Sequence, residues 1–233
     1  MLKASNLSYS SNGTDIVKGI SLDINEGDII SLLGSSGSGK STLMTLIGCI
    51  LKPTDGRITY KNENVFDLDI YEYRKKVRYI PAKPDFFSGT IECHFSKLFK
   101  YINVKKDEGC KKVFSLLPVF HLDESIMKKK TDDISTGEGK RLFLIQNLIS
   151  EAEIYILDEC FTGLDPAFVK AGFKFIKNNS KALLFTTHNI ELARDMSTKS
   201  LFIKKGEVLE QTNDFYKNTK IEEIINYLTG KSE

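Results

Sequence analysis

The chain has 233 residues, 41% hydrophobic and 27% charged, enough to bury a sizeable core as one large domain or as a domain with two lobes. Its 33 Lys and Arg against 31 Asp and Glu leave a net charge of +2, without the basic excess that a nucleic-acid partner would need. No apolar run reaches the roughly 18 residues of a membrane span, the opening MLKASNLSYS carries no apolar signal core, and four widely spaced cysteines form no C-x-x-C pair, so a cytosolic location with reduced thiols is expected.

In chain order, SNLSYSSNGTDI predicts antiparallel strands around an Asn12–Gly13 turn. GISLDINEGD places Ile20, Leu22 and Ile24 on one face of a half-buried strand. DIISLLG is a continuous apolar run of the kind buried on both faces of a sheet. A glycine-rich loop follows, then a helix in STLMTLIGCIL that Pro53 should end. GRITYKNENVF predicts a second hairpin. From about Pro81 to Ile149 strand patterns give way to helical ones, as in HFSKLFKYI and KRLFLIQNLI. Within that stretch MKKK, Met127–Lys130, is a solvated loop rather than a basic patch. Strands return in EIYILDE and KALLFTTH, each followed by helical residues, which implies a mainly parallel sheet covered by helices. KSLFIKKGEVLEQ predicts a late hairpin and IEEIINYL a terminal helix.

Two of these segments carry chemistry. GSSGSGKST comprises Gly34, Ser35, Ser36, Gly37, Ser38, Gly39, Lys40, Ser41 and Thr42, and it fits G-x-x-x-x-G-K-[ST] between a predicted strand and a predicted helix. Glycines let backbone N–H groups curl around phosphate oxygens without Cβ clashes, and the helix N-terminus adds partial positive charge. Lys40 is the point charge for the β- and γ-phosphates, and Ser41 offers a hydroxyl to Mg²⁺. EIYILDE ends its strand in two carboxylates, where ligand sites of open α/β sheets lie. Asp158 is expected to hold Mg²⁺ through a water and Glu159 to activate or orient the attacking water. A third segment, DISTGEGKRLF, has the Ser135/Glu138 spacing of a capping box and by itself predicts only a capped helix.

Taken in order with DECFTGLDP and LLFTTHNIELA, these motifs resemble the ATPase subunits of ATP-binding cassette (ABC) transporters over essentially the whole chain. The resemblance implies an α/β P-loop NTPase of ABC type: a mainly parallel sheet, an N-terminal antiparallel β subdomain and a helical lobe. It divides a single domain into a catalytic lobe, about 1–80 and 150–233, and a helical lobe, about 81–149. The family's Leu-Ser-Gly-Gly-Gln signature falls on Ile134, Ser135, Thr136, Gly137 and Glu138, expected to meet the γ-phosphate of a second subunit's ATP. Asp165 is expected at the dimer contact, His188 at the γ-phosphate and Tyr9 against the adenine. The implied cofactors are ATP and Mg²⁺. The implied partners are a separate transmembrane permease subunit and a second ATPase subunit, identical or not, with no nucleic acid. The implied location is the cytoplasmic face of the membrane, where the chain would be peripheral.

Three positions depart from the family pattern. Thr136 stands for glycine, Glu138 for glutamine, and Ala82 for the glutamine that follows Ile-Pro. Thr136 adds a β-branched side chain where backbone must approach phosphate. Glu138 brings negative charge toward a triphosphate, and Ala82 removes a polar link toward the membrane partner. The expected function is therefore ATP hydrolysis that powers a permease, with turnover and coupling the properties most exposed to these changes. A regulatory subunit with weak hydrolysis and a soluble non-transport ABC ATPase are the alternatives.

Overall fold

Asn12 (φ 50°) and Gly13 (φ 74°) both take left-handed backbone, so the first turn has the twist that joins two antiparallel strands tightly. It links β1 (Leu2–Ser11) to β2 (Thr14–Ile24), and β4 (Asp55–Tyr60) and β5 (Glu63–Asn64) extend the sheet in the order β2-β1-β4-β5. The computed structural model describes residues 1–212; the helix expected in IEEIINYL lies outside the described residues.

The second sheet has six strands in the order β10-β9-β3-β8-β7-β6. Its centre is β3 (Ile29–Leu33), buried at every residue and parallel to both β8 (Ala182–Thr186) and β9 (Lys199–Lys204). β7 (Ile154–Leu157) pairs in parallel with β8, and β6 spans Val77–Ile80. β10 (Glu207–Thr212) closes the predicted late hairpin antiparallel to β9. Continuous apolar runs form the central strands because both of their faces are covered.

Helix α1 (Lys40–Ile47) ends earlier than Pro53 would require. Gly48 donates to the Met44 carbonyl and Cys49, in left-handed backbone (φ 53°), donates to that of Leu46, so the chain leaves the helix before the proline is reached. Helix α2 (Ile70–Lys76), capped by Asp69, precedes β6.

The chain divides into two compact units. One contains Met1–Tyr79, Ala152–Glu159 and the described residues from Ser180 on; the other contains Ile80–Glu151 and Cys160–Asn179. The first holds both sheets except Ile80 at the end of β6, together with α1, α2 and α7 (Ile190–Met196). The second holds α3 (Ile91–Tyr101), α4 (Lys106–Val119), α5 (Thr136–Leu148) and α6 (Pro166–Asn178). In α3 the residues Ile91, His94, Phe95, Leu98 and Phe99 are buried, the spacing of one helical face. Aromatic rings fill this unit: Phe95 stacks on Phe99, and Phe161 on Phe173 at 4.7 Å between centroids.

His94 is the buried polar member of that core, 1% exposed and ringed by Phe86, Phe87 and Phe95. The Phe87 amide donates to its Nδ1 at 3.1 Å, and its Nε2 faces Gln146 Oε1 at 2.9 Å, so the ring is neutral with its proton on Nε2. Burial lowers its pKa below the ordinary 6.5, aided by Lys97 and opposed by Gln146 and Asp85. A second proton would set two N–H donors against each other at Nδ1. The unfolded chain therefore binds that proton more readily, and stability should fall as the pH drops below about 6.5. Thermal unfolding followed across this range should show the slope in the wild type and a flatter one in His94→Gln. Equal slopes would remove His94 as the cause.

Candidate nucleotide site

The loop of residues 34–42 leaves the end of β3 and runs into α1. A Cβ on Gly34 would lie 2.3 Å from the Ile203 carbonyl oxygen and 2.6 Å from Ser38 Oγ, so only glycine fits there. Gly37 (φ 76°) and Gly39 (φ 101°) take left-handed backbone, and a Cβ on Gly39 would lie 2.6 Å from the Ile16 carbonyl oxygen. Lys40 reaches back inside the loop. Its Nζ donates to the Gly34 and Ser35 carbonyls at 2.9 Å and approaches Ser38 Oγ at 3.5 Å. Burial lowers the Lys40 pKa, while Glu159 and Asp158 act to restore it. A partly desolvated ammonium interacts strongly with an incoming anion, because charge interactions strengthen at low dielectric.

Asp158 lies just past the end of β7 and is 5% exposed. Three hydroxyls satisfy it. Ser41 and Thr186 donate to Oδ1 at 3.1 and 3.0 Å, and Tyr79 donates to Oδ2 at 3.1 Å. This carboxylate beside the Ser41 hydroxyl is a hard-oxygen pair suited to Mg²⁺, which takes few protein ligands and completes its shell with waters and phosphate oxygens. Among the described residues no group of three or more His, Cys, Asp or Glu could hold a metal ion.

Glu159 follows in left-handed backbone (φ 51°), an uncommon conformation for a residue with a side chain. Its amide donates to Thr186 Oγ1 at 2.8 Å, and its Oε1 receives His188 Nε2 at 3.0 Å. Thr186 thus touches both carboxylate residues, and strain of this kind concentrates at functional positions. Tyr9, on β1, pairs with Val17 of β2, next to Ile16 whose carbonyl lies against Gly39. Gly34–Thr42, Asp158, Glu159 and His188 converge in the first unit, whereas Tyr9 lies on β1 of the antiparallel sheet, partly buried against the hydrophobic core. Tyr79 and Thr186 were missed from sequence. Their signal is indirect: a buried aspartate at a strand end needs donors, and neighbouring strand ends supply them.

The second unit carries the other expected group. Ser135 caps α5, its Oγ accepting from the Glu138 amide at 3.2 Å, and Glu138 Oε2 accepts from the Ser135 amide at 2.8 Å. The capping box is therefore complete. Thr136 opens the helix, and Gly137 has only Leu164 near its would-be Cβ, at 3.9 Å. Glu138 is also paired with Lys129, so its charge is compensated rather than bare. Asp165 caps α6, accepting from the Ala167 and Phe168 amides at 2.8 and 3.0 Å, and these bonds lower its pKa. Ala82 is exposed on the segment between β6 and α3. In the same segment Phe86 packs on His94 and Phe143, whereas Phe87 is among the exposed large hydrophobics.

A parallel sheet with a phosphate loop after its central strand, an acidic pair after the next strand but one, and an antiparallel sheet beside it define a P-loop nucleotide-binding cassette. The family model described as ABC transporter matches residues 17–162, and the chain belongs to that family. It is 32% identical to the energy-coupling factor transporter ATP-binding protein EcfA2 of Clostridium perfringens, over 91% of this chain and 78% of that protein. It is 27% identical to the glycine betaine/carnitine/choline transport ATP-binding protein OpuCA of Bacillus subtilis, over 94% of this chain; it spans 59% of that relative's length. Among solved structures, the dimeric post-hydrolysis state of the cassette MJ0796 bound to ADP and Pi superposes with a TM-score of 0.80 at 26% identity. That likeness covers 91% of this chain and 98% of the other.

Proposed function

We propose that the chain is the ATP-hydrolysing subunit of an ABC transporter, working with a second ATPase subunit and a separate transmembrane permease. One observation carries the reading: Lys40, Ser41, Asp158, Glu159 and His188 are joined at the mouth of a single phosphate loop. Relatives named as transport ATP-binding proteins support it, and so does the dimeric MJ0796 cassette bound to ADP and Pi. Among the described residues no helix is long and apolar enough to cross a membrane, which is compatible with a separate permease.

Lys40 and the loop amides would hold the β- and γ-phosphates, and Tyr9 would stack on the adenine. Ser41 and Asp158 would hold Mg²⁺, which supplies charge neutralisation at the phosphate oxygens when bound. Glu159 would take the proton of the attacking water on a carboxylate oxygen, with His188 orienting it from Oε1. The Ser135–Glu138 cap, presented with Asp165 by the second unit, would meet the γ-phosphate on the partner ATPase subunit. The protein would sit at the cytoplasmic face of the membrane through its permease.

Affinity purification of the tagged chain from detergent-solubilised membranes of its host should bring down an integral membrane protein. ATP hydrolysis by that complex should exceed hydrolysis by the chain alone. A chain that hydrolyses ATP equally well alone and retains no membrane protein would favour the soluble, non-transport alternative.

A further inference from the structure

Glutamate in place of glutamine at residue 138 changes one thing chemically. Glutamine could complete the capping box with its amide oxygen as well as glutamate does. Here Oε2 does that work, accepting from the Ser135 amide at 2.8 Å. The second oxygen and its charge are what the substitution adds, and Oε1 is the oxygen that Lys129 Nζ holds, at 2.8 Å. Lys129 is the first cause of the lowered Glu138 pKa, ahead of the Ser135 amide. Lys129 is itself fixed in place. Its carbonyl accepts from the Ile91 amide at 3.0 Å, Thr90 and Lys130 form a β-bridge, and the Thr131 amide donates to the Gly89 carbonyl at 2.9 Å. One lysine of the MKKK stretch thus has a specific partner.

The pair is exposed, 45% for Lys129 and 27% for Glu138. Exposed pairs contribute little to folding. Its consequence belongs where charge is desolvated, at the helix end that approaches a triphosphate.

We propose that Lys129 is a positioning residue of the signature site: it neutralises Glu138, so that the N-terminus of α5 keeps the positive character a neutral glutamine would leave it. The proposal rests on the reading of Ser135–Glu138 as a phosphate contact on a partner subunit. Removing Lys129 would leave an uncompensated carboxylate against the γ-phosphate. Removing both charges would restore the neutral pattern.

Five versions test this, each purified with its native partners: wild type, Lys129→Gln, Lys129→Arg, Glu138→Gln and the Lys129→Gln/Glu138→Gln double variant. Steady-state ATP hydrolysis is resolved into kcat and KM, and binding of a fluorescent ATP analogue to the isolated chain is measured alongside. Lys129→Gln should lower kcat about tenfold, the scale of one charge-assisted contact. In the Glu138→Gln background the same change should cost no more than about twofold. Lys129→Arg should restore the rate, and analogue binding and thermal midpoints should stay equal throughout. An equal loss in both backgrounds, or no loss in the first, overturns the proposal. A wild type that binds the analogue but never hydrolyses ATP with its partners removes the phosphate-contact reading and this proposal with it. A wild type that does not bind the analogue strikes the nucleotide site itself.

Discussion

Glu159→Gln should slow ATP hydrolysis by about 10²- to 10⁴-fold, the range for a lost general base, and leave nucleotide binding intact. The substitution keeps the shape of the side chain. The amide nitrogen still donates to Thr186 Oγ1, so the left-handed backbone at residue 159 remains held. Asp158 keeps its three hydroxyl donors, so its contact with Ser41 is undisturbed. What disappears is a carboxylate able to accept a proton, together with the charge that orders His188 at Oε1. With chemistry blocked, ATP should hold two ATPase subunits together, visible as an ATP-dependent dimer in size-exclusion chromatography if the chain pairs with itself. Phosphate release under saturating ATP is the primary measurement. Hydrolysis at the wild-type rate would show that the base is elsewhere.

Lys40→Ala acts one step earlier, on binding. Lys40 Nζ is the cation inside the loop, and its side chain also braces the turn through the Gly34 and Ser35 carbonyls. Alanine removes both functions. Losing two contacts to charged phosphate oxygens, at about 1.5–3 kcal/mol each, should weaken ATP binding by at least about a hundredfold. Titration with a fluorescent ATP analogue reads this directly. The effect should exceed that of Ser41→Ala, because the lysine carries a full charge and the serine only a neutral hydroxyl. Unchanged affinity would mean that the loop is not a phosphate site. The two substitutions separate binding from chemistry: one should abolish the complex that the other traps.

Much of the site was legible in the residues. GSSGSGKST announces its conformation because glycine at three places is a steric requirement, and the close approach of Ile203 to Gly34 is that requirement seen in space. ILDE by itself reads equally as a solvated strand end, and it points to a metal site only in company with the phosphate loop. The signature was harder. Ser135 and Glu138 make a capping box whether or not a phosphate ever arrives, so local sequence supports both readings equally. Glu138 in particular was expected to place bare negative charge at the helix end. Lys129, nine residues earlier, supplies the partner, and nothing in the spacing reveals a contact made by side chains across a turn.

Sequence by itself determined the elements whose cause is local: the Asn12–Gly13 hairpin, the buried β3, the phosphate loop, the amphipathic face of α3 and the capped start of α5. Each is signalled by residues close together in the chain, through backbone sterics, hydrophobic periodicity or a capping side chain, even where, as at Gly34, the atom that enforces it comes from a distant strand. Only the tertiary structure decided which hydroxyls satisfy Asp158, that Thr186 ties the two acids together, that His94 is neutral in an aromatic core, and that Lys129 covers the charge of Glu138. Those are contacts between segments far apart in the chain or on different elements. They are set by strand order and helix packing, and a buried or charged group finds its partner only when the fold brings that partner within hydrogen-bond reach.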